Sequence, residues 1–154
     1  MSTSLQAGSS SVDSTLMCWL SVEQVHENWE EIRTRIGEDV RFGRYFSEKS
    51  LVDDIVGQKI QVWTAGTDLI IFTRLDTYPS GIKTLRVLWA FGTGLDGMLE
   101  VIVDVFRRFA QQHGCCDVEI TGREGWSRKL RRLVAARDVQ SVIVIPVGTI
   151  GREN

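Results

Sequence analysis

Proline is scarce in this chain: its 154 residues hold two, Pro79 and Pro146, beside fourteen glycines. That balance favours tight turns over rigid loops. Histidine is equally rare, with only His26 and His113, and neither has a Cys or a second His at metal-ligand spacing. The common zinc patterns are excluded, and no metal is expected. His113, closing a helical pattern, reads as a cation near a helix C-terminus. The cysteines number three, Cys18, Cys115 and Cys116, an odd count with two adjacent. This is no disulfide framework, and a reducing compartment fits it better. Burial of at least one of the adjacent pair is expected. A long apolar run is also missing; none approaches the roughly 20 residues of a membrane span. Neither sign of charge dominates, with a net charge of −2 and a pI near 5.7. A globally basic nucleic-acid binder is excluded, while a local basic patch is not.

What is present is close to an average globular composition, 43% apolar and 25% charged. Such a chain is one domain by length and can build a single core. Residues 1–15, MSTSLQAGSSSVDST, have no Lys or Arg and no apolar stretch, so they read as a polar arm rather than a signal peptide. They lack the apolar surface that would offset their ordering entropy, so any order in them implies contact with a partner. The domain is expected over residues 16–147, with a short polar tail over 148–154.

Ser21 and Gln24 have capping-box spacing, and Val25, Trp29, Ile32 and Ile36 follow as one helical stripe that Gly37 stops. The outer face of that helix carries Glu23, Glu27, Glu30 and Glu31. A second helix is predicted over 48–56, burying Leu51, Val52, Ile55 and Val56, with Gly57 as its C′ residue. The period then changes. Strands are predicted over 59–64, 69–77 and 83–91, joined by turns at 65–67 and at Tyr78-Pro79-Ser80-Gly81, an antiparallel meander. Leu99, Ile102, Val103, Phe106 and Ala110 mark the strongest helix, over 95–113, ended by Gly114. A strand over 116–121, a basic helix over 125–136 and a strand over 140–147 complete the chain. The order is α-α-β-β-β-α-β-α-β, an α/β (α+β) class with a mixed, mostly antiparallel sheet flanked by helices.

That order, with a meander feeding a central helix and then strand-helix-strand, resembles the GNAT superfamily of N-acetyltransferases over residues 21–147. In that family a Gly-containing loop before the central helix holds the acetyl-CoA pyrophosphate, because helix N-terminal amides and the helix dipole favour an anion. The corresponding stretch here is Trp89-Ala90-Phe91-Gly92-Thr93-Gly94. Gly92 and Gly94 fit the family pattern; Trp89 stands where a Gln or Arg is expected, and Asp96 would oppose a pyrophosphate. A tyrosine general acid, which the family often places on the helix after the next strand, is absent from 125–130; the chain has only Tyr45 and Tyr78. Glu119 is the nearest candidate base, although strand alternation also reads it as an exposed carboxylate. The plainer reading of Gly92, Thr93 and Gly94 is a strand-to-helix turn with a polar cap.

Residues 114–128, and Gly122-Arg123-Glu124-Gly125-Trp126 within them, resemble a segment of small GNAT-like proteins of tailed bacteriophages, of a head-assembly or virion-associated type. The resemblance implies a non-catalytic structural or assembly protein, docking on other virion proteins of the head or neck and found in the virion and, before assembly, in the host cytoplasm. No cofactor is then implied. The alternative is an acetyl-CoA-dependent N-acyltransferase with a degenerate loop. In it Gly92, Thr93 and Gly94 would hold the cofactor, Glu119 would act as base, and Ser127 or a cysteine as acid. From Arg123 to Arg137 six bases stand against one acid, whereas residues 23–54 carry nine acids and five bases. Arg123, Arg128, Lys129, Arg131 and Arg132 are the candidate partner-binding residues, for an acidic protein surface or another copy of the chain. A solvated basic face is the plainer reading. Nucleic acid ranks last, because a single aromatic residue, Trp126, stands among these basic residues for base stacking, and phosphate contacts alone would be salt-sensitive.

Overall fold

The computed structural model describes residues 17–37, 47–66, 68–121, 130, 132, 137–139 and 142–147. The elements are β1 (Met17–Trp19), α1 (Val22–Glu27), α2 (Trp29–Gly37), α3 (Glu48–Val56), β2 (Ile60–Ala65), β3 (Leu69–Thr77), β4 (Lys83–Phe91), α4 (Leu95–Gln112), β5 (Asp117–Thr121), β6 (Arg137–Val139) and β7 (Val142–Pro146). Hydrogen bonding orders the strands β1-β2-β3-β4-β5-β7-β6 in a seven-stranded sheet. The expected class holds: a mixed, mostly antiparallel sheet with helices. The meander and the central helix fall where their periods place them. Two short strands, β1 and β6, are additions; three residues each are too few for a period to register. Of the predicted basic helix, only Leu130 and Arg132 lie among the described residues; both are helical, Leu130 fully buried and Arg132 exposed.

The chain forms two compact units, one of residues 1–73 and 89–101, the other of residues 74–88 and 102–154. In the first, the capping box forms as the spacing dictates, with Ser21 Oγ accepting from the Gln24 amide at 3.1 Å and Gln24 Oε1 accepting from the Ser21 amide at 2.8 Å. The single stripe expected after it is broken. The break falls at Asn28, the C-cap of α1 with φ −106° and ψ 14°, whose backbone N–H and side-chain amide both donate to the Gln24 carbonyl, at 3.1 and 2.7 Å. Val25 and Ile32 remain buried. In α3, Leu51 and Ile55 are buried as expected, but Val56 is 60% exposed. Gly57 is not the left-handed residue either: its φ is −76°, and Gln58 takes φ +61°. The turn bonds reach Gln58 and Lys59, so the reversal falls one residue later than the glycine.

A buried polar chain links β2 to β3 in this unit. The Trp63 indole donates to Thr73 Oγ1 at 2.9 Å, and Thr73 donates to Gln61 Oε1 at 2.8 Å. All three residues are buried, so each bond spares a polar group a desolvation cost of about 1–3 kcal/mol.

In the second unit β4 and β5 run parallel, with Thr84, Leu85, Arg86 and Val87 opposite Asp117, Val118, Glu119 and Ile120. β7 pairs antiparallel with β5, and β6 with β7. Alternation gives the pair two faces. Leu85, Val87, Val118 and Ile120 are buried on one. Thr84, Arg86, Asp117 and Glu119 share the other, where Thr84 Oγ1 donates to Asp117 Oδ1 at 2.5 Å. Phe106 of α4 is 1% exposed, and its truncation to Ala costs about 3–5 kcal/mol.

Candidate functional site

Two polar constellations stand out, one in each unit. The first surrounds the loop between β4 and α4. Gly92 and Gly94 have φ of +112° and +86°, a region open to glycine and strained for other residues. Gly92 is also fixed by space, since a Cβ there would lie 2.2 Å from the Asp68 carbonyl oxygen. The sequence places Gly92, Thr93 and Gly94 at a strand-to-helix turn, and they are there. Asp68, in the β2–β3 turn, joins them without any signal in its own segment. Its Oδ2 accepts from the Thr93 amide at 2.8 Å and from the Thr93 hydroxyl at 2.7 Å. Its Oδ1 pairs with Arg35 of α2 at 2.9 Å, and a second Arg35 nitrogen donates to the Asp68 carbonyl. Glu31 Oε2 lies 2.9 Å from the same Arg35 nitrogen that pairs with Asp68 Oδ1. The Thr93 hydroxyl and amide hold the Asp68 carboxyl below its ordinary range, with Arg35 adding to them.

The loop therefore already carries an anion of its own. A pyrophosphate on the Thr93 amide would have to displace Asp68 and would face its negative charge. The residues present do not fit the acetyl-CoA group that the family resemblance implies.

The second constellation crosses β3, β4 and β5. Arg74 Nε lies 2.7 Å from Asp76 Oδ1, and Arg86 Nε lies 3.0 Å from Asp76 Oδ2. The latter contact is an ion pair only: the Arg86 Nε–H is not aimed at the oxygen and makes no hydrogen bond. A terminal Arg86 nitrogen sits 3.2 Å from Glu119 Oε1 and donates to the Tyr78 hydroxyl at 2.9 Å. That hydroxyl lies 2.9 Å from each Glu119 oxygen. Donation to Glu119, and then burial, push the Tyr78 phenol above its usual range, so Tyr78 stays a proton donor at neutral pH.

Glu119 is thus no exposed carboxylate: the residue is 8% exposed. A tyrosine does reach the candidate base, from the β3–β4 turn rather than from a following helix. The charges alternate Arg74, Asp76, Arg86, Glu119 and balance, an arrangement suited to holding three strands in register. As a base, Glu119 would act with Tyr78 and Arg86 already drawing on its carboxylate.

Ser127, Arg123, Arg128, Lys129 and Arg131 lie outside the described residues, as do residues 1–16 and 148–154; Arg132 is exposed. Among the described residues no three His, Cys, Asp or Glu side chains gather as metal ligands, and no helix is long and apolar enough to cross a membrane. Cys18 and Cys115 are buried, which raises their thiols, while Cys116 is exposed. His113, just past α4, stacks on Phe109 with ring centroids 4.1 Å apart, and its Nδ1 lies 2.9 Å from the Phe109 carbonyl oxygen.

No protein-family model matches the chain, and no curated protein matches it in sequence. Its fold, however, is that of the GNAT acetyltransferases. A ribosomal-protein-alanine N-acetyltransferase from Brucella melitensis biovar Abortus 2308 superposes with a TM-score of 0.54 at 12% identity, over 81% of this chain and 94% of that one. Arabidopsis thaliana Naa50, in complex with the bisubstrate analogue CoA-Ac-MVNAL, superposes with a TM-score of 0.52 at 12% identity, over 84% and 95%. At such identities the likeness is one of fold.

Proposed function

We propose that the chain is a non-catalytic GNAT-like protein that serves as a structural or assembly component by docking on other proteins. One observation carries this reading: the Asp68 carboxylate sits on the amide and hydroxyl of Thr93, where an acyl-CoA enzyme of this fold would receive the cofactor's phosphates. The placement in a tailed-phage virion, at the head or neck, rests on the resemblance of residues 114–128. The basic residues Arg123, Arg128, Lys129, Arg131 and Arg132 would meet an acidic protein surface or a second copy. Calorimetric titration with acetyl-CoA tests the non-catalytic reading, with no saturable binding expected. Mass spectrometry of purified virions tests the placement; absence of the chain from particles contradicts a virion component.

A second reading, an N-acyltransferase, draws on the contact between Tyr78 and Glu119. It requires acetyl transfer to an amine that is lost in Glu119→Gln. Turnover by the wild-type chain, abolished in that variant, would replace the first reading with this one.

A further inference from the structure

We infer that the trough between α1, α2 and α3 is a docking groove for a helix of another protein, amphipathic and basic along its polar flank. The inference rests on the assembly reading and names the chemistry of one partner. Val22 and Val25 of α1, Trp29 of α2, and Val52, Ile55 and Val56 of α3 line a cavity of about 520 Å³. Its floor is Val25 and Ile55, both buried in the core. Its walls stand open, with Val22, Trp29 and Val52 half-buried and Val56 exposed. The apolar face of α3 is thus wider than the core uses, since Leu51 and Ile55 are covered while Val52 and Val56 continue the stripe outward. An exposed apolar strip with polar edges is the ordinary mark of a protein-binding surface. An open trough along helices suits the side chains of a second helix, spaced three and four apart, better than a small molecule that needs enclosure. Trp29, half-buried on the wall, is the residue type that anchors such contacts.

Charge selects the partner. Glu23, His26 and Glu27 line the groove and are exposed, and among the described residues no Lys or Arg lines it. The three Lys or Arg residues of α1–α3 are each engaged with their own acids, Arg33 with Glu30, Arg35 with Glu31 and Lys49 with Asp53. Glu23 and Glu27 have no cationic partner among the described residues. A helix bringing apolar side chains to the floor and Lys or Arg to this rim satisfies both features; an acidic helix would be repelled.

The test uses the full chain and two short helical peptides, one of Leu and Lys and one of Leu and Glu, followed by fluorescence anisotropy. The Leu/Lys peptide is expected to bind in the micromolar range and the Leu/Glu peptide not at all. Val56→Glu, and separately the pair Glu23→Lys with Glu27→Lys, should each weaken binding by at least about tenfold. All of these sites are exposed, so the thermal midpoint should stay within a few degrees and show the fold intact. Failure of the Leu/Lys peptide to bind, or equal binding by both peptides or by the variants, overturns the proposal. Self-association of the chain alone, abolished by Val56→Glu in sedimentation velocity, also overturns it by making a second copy the occupant. Acetyl-CoA binding would sink the assembly reading without altering this titration, so the two failures are distinguishable.

Discussion

Asp68 and Thr93, twenty-five residues apart in sequence, meet through a single carboxylate oxygen that accepts both the backbone amide and the hydroxyl of Thr93. A turn between two strands thereby supplies the anion that closes the loop before α4. Removing that charge should be felt as stability. At neutral pH Asp68→Asn is expected to cost about 1 kcal/mol, since hydrogen bonds to a charged group weaken to neutral ones and the site is partly exposed. The carboxyl is held below its ordinary value in the folded chain. Its contribution is therefore full above the unfolded pKa of about 3.9 and fades as pH falls through the lower folded value. Urea melts of both proteins should show a constant gap at pH 6–7 that narrows below about pH 4. A gap independent of pH would mean that the charge is not what Thr93 and Arg35 hold.

The two loop glycines should behave differently. Gly94→Ala meets nothing within 4 Å and pays for its positive φ alone, about 1 kcal/mol. Gly92→Ala adds a collision with the Asp68 backbone and should cost at least about 3 kcal/mol. Chemical denaturation of the pair decides it; equal costs would mean that the close approach at Gly92 is absent.

Tyr78→Phe removes a donor from Glu119 and should destabilise by about 1 kcal/mol, with the exposed phenol limiting the effect. Because the folded phenol titrates above its usual range, its contribution is intact up to the unfolded pKa near 10 and declines as pH rises toward the folded value. The difference between wild type and variant should hold from pH 7 to 9 and shrink above about pH 10, as read by stopped-flow or equilibrium denaturation.

At the end of α3, Gln58 occupies a left-handed conformation that glycine adopts freely. Gln58→Gly should leave stability unchanged or raise it by up to about 1 kcal/mol, whereas Gly57→Ala should not help, its Cβ falling 3.2 Å from the Asp53 carbonyl oxygen. Thermal melts of the two variants check this.

Local chemistry was legible in the sequence, and long-range geometry was not. The Ser21–Gln24 box, the bounds of α3, β3 and β4, and the buried stripe of α4 follow from neighbouring residues and came out as read. The first helix breaks at Asn28, whose side-chain amide joins its backbone N–H on the Gln24 carbonyl, a local feature that a stripe of apolar positions does not register. Asp68 carries no local signal, since nothing in its own segment says that the turn abuts Thr93. The Glu119 network did leave a trace: Thr84 and Arg86, like Asp117 and Glu119, put polar groups at alternate positions of otherwise apolar strands. Such alternation ordinarily marks a solvated face, and nothing in either strand alone says that Tyr78 and Asp76 come to meet it. The family likeness places a tyrosine on the helix after β5, whereas the fold brings Tyr78 to Glu119 from the β3–β4 turn.

Titration of the wild-type chain with acetyl-CoA by isothermal calorimetry reaches the central claim most directly, with Asp68→Asn and Asp68→Ala run beside it. If Asp68 fills the place of the cofactor's phosphates, the wild type gives no saturable binding up to millimolar ligand. Binding that is weak or newly measurable in the variants fits the same picture. Micromolar binding by the wild type, unchanged when Asp68 is replaced, would show that the carboxylate does not close the loop and would return the chain to the enzymes whose fold it shares.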